Sequence, residues 1–344
     1  MSETAMRCCA NCFGDRGLSK IFPTKAVATG DCGYCGTVGV PLAEPSDLTD
    51  LFSVVVNIYD EDAAGKGLVQ LLREDWALFN HPRMDDFRVR DLLIAIMDDG
   101  DIGRRRYVPS DRFKSDRLVR WRELRDELMH RNRYFPNTKL DADRLKQLLG
   151  FLQAEDMPAR WYRARIQAGD DPFSIGEMGA PPNKVASHGR ANPPGIPYLY
   201  VGSQQETSVA EIRPHTGEKV SVADFTLTPA MLKLVDLRAP KERVSPFELG
   251  DEDDVGALRS DIAFLERLGE ELTRPVLPQG AAIEYVPSQY LCEFIKKAGW
   301  HGVVYRSSVS DGINLALFDP TLAIPGAVEQ WMVTRVTVGV ERVP

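Results

Sequence analysis

Gly189 to His215 reads GRANPPGIPYLYVGSQQETSVAEIRPH, and this stretch decides how the second half of the chain is understood. It opens with Pro and Gly crowded between Gly189 and Pro197. Proline fixes φ and glycine admits conformations other residues avoid, so this opening is a shaped turn. Tyr198–Val201 follows with the aromatic and β-branched side chains of a short strand. From Thr207 to Arg213 the small and apolar residues recur at helical spacing. The whole is a turn, strand and helix corner, with Arg190 in the turn and Glu211 on the helix.

The same texture continues on either side. Strands are expected at Arg160–Ile166, Lys219–Thr226, Leu232–Asp236, Gly302–Tyr305, Asn314–Phe318 and Met332–Val340, with helices at Asp254–Leu272 and Pro287–Lys297. Residues 46–156 read differently, as a helical block. Apolar positions recur every three or four residues in Leu68, Leu71, Leu72 and Trp76, in Leu92, Leu93, Ile96 and Met97, and from Phe113 to Leu128. Ser110 or Asp111 is placed to cap a helix running to His130. The chain is therefore α+β in three blocks: 1–45, rich in Cys and Gly; 46–156, helical; and 157–344, strands with helices.

Five of the six cysteines lie in the first block. Cys9 and Cys12 form one CxxC pair and Cys32 and Cys35 a second, with 19 residues between the pairs. Four thiolates so arranged suit a tetrahedral zinc ribbon, and four ligands close the coordination sphere, so the expected zinc is structural. Cys8 is a rival to Cys9 but breaks the two-residue spacing. Cys292, in LCEFI, reads as core.

The 344 residues are 43% hydrophobic and 27% charged, as in an ordinary globular protein. A net charge of −8 and a pI near 5.3 argue against a dominant nucleic-acid surface. Arg104–Arg106 leaves a local basic patch, and a nucleic-acid role, open; Glu248–Asp254 reads as a solvated acidic loop. No apolar run reaches the roughly 20 residues of a membrane span, and no signal-peptide plan opens the chain, so a cytoplasmic location is expected.

The second half resembles the RES domain, whose members include bacterial toxins that break NAD and whose fold is akin to that of ADP-ribosyltransferases. The resemblance is carried by Tyr162-Arg163, Gly189-Arg190-Ala191-Asn192-Pro193-Pro194-Gly195, Leu199-Tyr200, Ala210-Glu211, Tyr305-Arg306-Ser307 and Gly312–Phe318. It implies NAD as substrate and cleavage of the nicotinamide–ribose bond by a glycohydrolase, phosphorylase or ADP-ribosyltransferase acting as a toxin or defence effector. The implied catalytic residues are Glu211, Arg190, Tyr200 and Ser307. Arg163, Arg190, Tyr200 and Ser307 are the implied NAD-binding residues. Glu211 would hold the ribose hydroxyls and stabilise developing positive charge. Arg163 and Arg190 would grip the diphosphate with their planar forks. Tyr200 would stack on or orient the nicotinamide, and Ser307 would donate to ribose or phosphate. Arg160 and Arg165 compete with Arg163, Tyr198 with Tyr200, and Ser308 and Ser310 with Ser307. His188 and His215 read as turn or surface residues.

The helical block resembles HEPN domains, some of which are RNases carrying R-x4–6-H; Arg125 to His130 fits that pattern but reads more simply as an exposed face. An RNA-binding or RNA-cleaving module with a non-catalytic RES domain is the alternative. The absence of GxGxxG after a strand and of GxxxxGK[ST] removes the usual supports for hydride transfer and P-loop chemistry. A homo-oligomer is expected, as is an inhibitor protein or a trigger molecule. The N-terminal blocks are the in-cis candidates for an off switch, so a fragment spanning 158–344 is expected to be more toxic than the whole chain.

Overall fold

A computed structural model describes residues 6–228, 231–337, 340 and 342. The chain divides into two compact units. One is Met1–Val119 with Pro240–Leu265; the other is Arg120–Ala239 with Glu266–Pro344.

The first unit begins with helix α1 (Arg16–Lys25), capped by Asp15, whose carboxylate accepts from Leu18 N at 2.8 Å. A hairpin of β1 (Ala28–Gly30) and β2 (Val40–Leu42) follows. Helix α2 (Thr49–Val56), strand β3 (Tyr59–Gly67), helices α3 (Leu68–Trp76) and α4 (Asp86–Met97), and strand β4 (Arg106–Pro109) complete the direct run. The β3–β4 pairing is hidden in a block whose periodicity reads as helical. The β3 sequence, YDEDAAGKG, is polar without alternation, and its register shifts between Glu61 and Lys66. The core is aromatic: Phe13 stacks against Phe52 at 5.4 Å and Phe79 at 5.7 Å, and Phe52 against Phe247 at 5.0 Å. Each such buried ring contributes about 1.5–3 kcal/mol.

Phe247 shows that Pro240–Leu265, an insertion within the sequence of the second unit, belongs here. Ser245 Oγ donates to Asp15 Oδ1 at 2.7 Å, Arg259 Nε lies 2.6 Å from Asp75 Oδ2, and Arg117 Nη1 lies 2.8 Å from the buried Asp261. The acidic stretch is mostly exposed, as expected, but it is ion-paired and its last three residues begin a helix. Glu248 pairs with Lys20 at 2.9 Å, Glu252 accepts from Asn57 at 2.6 Å, and Asp253 pairs with Arg112. The Arg104–Arg106 run is also partnered: Arg104 pairs with Asp101, Arg105 with Glu61 and Asp99, and Arg106 donates to Gly65 O.

The second unit holds helices α5 (Arg117–His130, from Arg120 onward) and α6 (Ala142–Phe151), then strand β5 (Arg160–Ile166), strand β6 (Leu199–Gly202), helix α7 (Gln205–Glu211), and strands β7 (Lys219–Thr226) and β8 (Leu234–Asp236). Helices α8 (Pro240–Arg243) and most of α9 (Glu252–Thr273) lie in the insertion. Helices α10 (Ala281–Glu284) and α11 (Val286–Lys297) and strands β9 (Gly302–Arg306), β10 (Ile313–Leu317) and β11 (Ile324–Met332) close the unit. The seven strands run in the order β11-β7-β5-β6-β10-β9-β8, antiparallel except for the parallel β8–β9 pair. Trp161, Leu199, Val201, Phe225, Val304, Leu315 and Leu317 bury one side of the sheet.

Helix α5 starts at Arg117, while Ser110 caps only a short 3-10 turn, Asp111–Phe113. The last strand is also displaced, from its expected place at Met332–Val340 to Ile324–Met332. Residues 338 and 339 of the expected strand lie outside the described residues.

One detail of the sheet makes the site. Strand β5 pairs with β7 along its full length, yet with β6 only through Tyr162↔Gly202. Beyond that pair the ladder between β5 and β6 stops, and the sheet parts.

Candidate active site

A cavity of about 460 Å³ occupies this parting, lined from β5 by Tyr162–Ala164, from β6 by Tyr200–Gly202, from α7 by Ser208 and Glu211 and from the residue after it by Ile212. Arg190, Tyr285, Tyr305 and Asn314 also face it.

Glu211 ends α7 with its carboxylate exposed. Its Oε1 accepts from Ser307 Oγ at 2.7 Å and from Asn314 Nδ2 at 2.5 Å. Among the described residues Oε2 accepts no hydrogen bond, so one oxygen is anchored and the other is left for a ligand. Ser307 is equally committed: its hydroxyl also accepts from Val309 N and Ser310 N, at 3.2 and 3.1 Å. Of its rivals, Ser310 donates to Thr207, and Ser308 lines the cavity.

Arg163 is the arginine of β5 that reaches the cavity. Its Nη1 donates to Tyr200 O at 3.3 Å across the parting, and its Nε is buried without a hydrogen-bond partner. Burial, helped by the neighbouring Arg165, lowers its pKa to about 10, which leaves it charged at neutral pH. Arg165 instead donates to Glu177 O at 2.6 Å, and Arg160 lies 3.7 Å from Asp224. A half-buried guanidinium with an unmet N–H has capacity for an anion.

Arg190 Nη1 donates to Arg274 O at 2.7 Å, and its guanidinium lies 5.2 Å from the Tyr285 ring centroid. The turn carrying it is braced by Tyr200, whose hydroxyl donates to Asn192 Oδ1 at 2.7 Å and accepts from Ala191 N at 2.9 Å. Asn192 in turn donates to Ser187 O and Pro193 O, both at 3.0 Å. Residue 189 must be glycine, because a Cβ there would lie 2.6 Å from the Tyr200 hydroxyl. Gly195, at φ +83, supplies the left-handed conformation that closes the turn. Burial pushes the Tyr200 hydroxyl well above its ordinary pKa. With donor and acceptor both engaged, that hydroxyl holds the turn, and only the ring remains to face a ligand. Tyr198 is buried in the core, 4.9 Å from the Phe318 ring.

The structure thus brings Arg163, Arg190, Tyr200 and Glu211 around one cavity, while Ser307 lies outside its lining and acts on it only through the hydrogen bond to Glu211. It adds Asn314 and Tyr305, which the sequence motifs contain without an assigned role. Asn314 is 5% exposed and is the one polar residue of INLAL; an amide in so apolar a strand was the available signal. His188 also lines the cavity, 6.4 Å from the Tyr285 ring, whereas the exposed His215 does not.

Elsewhere, Cys9, Cys12, Cys32 and Cys35 are buried with their sulfurs all within 4.8 Å of one another. Four soft donors so close fit a tetrahedral zinc, since four packed thiolates repel without a cation between them. Cys8 is set apart: its Sγ lies 3.7 Å from Ala43 O, and its backbone exchanges both hydrogen bonds with Ala43. Arg125 does not stand free beside the exposed His130; its Nε lies 3.0 Å from the buried Glu271.

The RES domain family pattern matches residues 160–335. In structure the chain is similar to a chain of the M. tuberculosis MbcT–MbcA toxin–antitoxin complex, at 13% identity and a TM-score of 0.32, covering 56% of this chain and 93% of that one. No curated protein matches. The match spans half of the sequence and takes in every strand around the cavity, and on that basis the chain belongs to the RES domain family.

Proposed function

We propose that the chain is an NAD-consuming enzyme that breaks the bond between nicotinamide and the ribose C1′. The observation that carries the reading is Glu211, with Oε1 fixed by Ser307 and Asn314 and Oε2 open, in a cavity shared with Arg163 and Arg190. As the C1′–N bond breaks, its electron pair leaves with nicotinamide and the ribose takes on oxocarbenium character. A fixed carboxylate stabilises that charge without reorganising, and holds the ribose hydroxyls. Arg163 and Arg190 flank the cavity as two cations for the diphosphate. The Tyr200 and Tyr305 rings form walls suited to a flat pyridinium. The acceptor is water, inorganic phosphate or a protein side chain. Toxic or defensive action, with an inhibitor protein in the producing cell, is what the family resemblance implies. We infer further that the four cysteines hold a structural zinc.

Incubating the full-length protein with NAD, with and without phosphate, tests the reading. Nicotinamide release is expected, and the second product identifies the acceptor. Glu211→Ala should lower turnover about 10³-fold or more while the melting temperature holds, because the residue is exposed. Undiminished NAD loss in that variant rejects the assignment.

A further inference from the structure

Outside the cavity lining, a buried carboxylate is tied to one of its arginines. Glu271, on α9, is 2% exposed. Its Oε1 lies 3.0 Å from Arg125 Nε and 3.2 Å from Arg267 Nη2, and accepts from Trp121 Nε1 at 3.4 Å; its Oε2 lies 3.5 Å from Arg274 Nε. Arg274 is tied at its other end to Glu284, through Oε2 at 2.8 Å and the backbone O at 3.2 Å. The Arg274 guanidinium is therefore held between two carboxylates, and the backbone carbonyl of the same residue accepts from Arg190 Nη1 at 2.7 Å. Tyr285, on whose ring Arg190 rests, follows Glu284 directly.

We propose that Glu271 is a positioning residue for Arg190. In this arrangement α5, which lies upstream of the residues matched to the family, supplies part of the support for the site. Without the Glu271 charge, Arg125, Arg267 and Arg274 share one low-dielectric site with no counter-charge at its centre. Such a cluster relaxes by moving apart. Arg274 then shifts, and the hydrogen bond that aims Arg190 is lost. The same relay accounts for a charged Arg125 that stands outside the cavity lining. The role given to Arg190 rests on the NAD reading above, so the test includes a probe independent of turnover.

The full-length wild type, Arg190→Ala, Glu271→Gln and the double variant are compared in NAD kinetics and in calorimetric binding of inorganic pyrophosphate. Glu271→Gln should raise both the NAD KM and the pyrophosphate Kd about tenfold, with kcat within about threefold, the pattern of a lost binding contact. On the Arg190→Ala background it should change nothing further, because its effect passes through Arg190. Equal losses on both backgrounds, or an unchanged Kd in a folded Glu271→Gln protein, overturn the proposal. Should Glu271→Gln fail to fold, Glu284→Gln, at a side chain 39% exposed, takes its place. A Kd raised about threefold is then expected, and an unchanged one rejects the relay. Arg190-dependent pyrophosphate binding without NAD cleavage would reject the reaction and leave the positioning role to be decided by the pyrophosphate measurements.

Discussion

Ser307 and Asn314 place two donors on one oxygen of Glu211, a residue that lines the cavity, and among the described residues its second oxygen accepts no hydrogen bond. A carboxylate held this way cannot rotate, so either donor alone keeps it partly aimed. Asn314→Ala and Ser307→Ala are each expected to lower kcat about 10- to 100-fold, with the double variant losing less than the product of the two. A product of independent effects would show that the two donors do not act through one carboxylate. Tyr200→Phe is expected to act differently. It strips the turn of a donor to Asn192 and an acceptor for Ala191 N, at a cost of about 1–3 kcal/mol seen as a lower melting temperature. Arg163 adds a pH dependence. Burial lowers its folded pKa to about 10, below the unfolded value, so the cost of keeping it charged is present below that pH and disappears above the unfolded pKa. Its grip on an anion should correspondingly fail as pH rises through about 10; calorimetry with ADP-ribose from pH 8 upward should show affinity falling there, and not in Arg163→Ala. The sequence marked these residues but not the partners. Periodicity says which face of a strand Tyr200 occupies, and nothing in it says that the hydroxyl turns to Asn192.

Strand β5 and strand β7 were legible to the residue, because Arg160–Ile166 and Lys219–Thr226 are short runs with β-branched or aromatic side chains set apart by turn residues. Strand β11 was not. Ile324–Met332 is an exposed edge strand with Pro325 at a register irregularity, so it carries neither apolar alternation nor a free run of N–H groups to betray it. The β5–β6 parting was equally invisible, since it depends on a ladder that stops after one pair. Yet that parting is what the shaped turn serves. Gly189→Ala would drive a Cβ against the Tyr200 hydroxyl and dislodge the Arg190 turn, and the NAD KM should rise about tenfold or more. In the Cys pairs, spacing alone identified the cluster, because two CxxC knuckles specify a site without long-range information. Elemental analysis is expected to find one zinc per chain, retained in Cys8→Ser and lost in Cys32→Ser. Zinc unaffected by Cys32→Ser would move the metal off these four sulfurs.

At the scale of the molecule, composition and packing divide the chain differently. The texture changes near residue 157, but the compact unit that contains the cavity also takes in residues from Arg120 onward and omits Pro240–Leu265. Charge patterning could not show this, since an acidic insertion reads as a solvated loop until its partners are known. The consequence bears on the fragment 158–344, for which the sequence suggested greater toxicity than the whole chain. That fragment lacks Trp121, fully buried, and Arg125, the closest cation to Glu271. Removing one side of a buried ion pair costs about 3–5 kcal/mol, and an exposed core face adds to it, against a total stability of about 5–15 kcal/mol. The fragment should therefore melt lower than the full chain and turn over NAD at least about tenfold more slowly per soluble molecule. Its toxicity on expression should fall accordingly. A fragment beginning at Arg120 restores α5 and should recover part of both losses. If the 158–344 fragment instead matches or exceeds the whole chain in NAD turnover at equal soluble levels, α5 is dispensable to the site, and the residues before 158 act as a restraint.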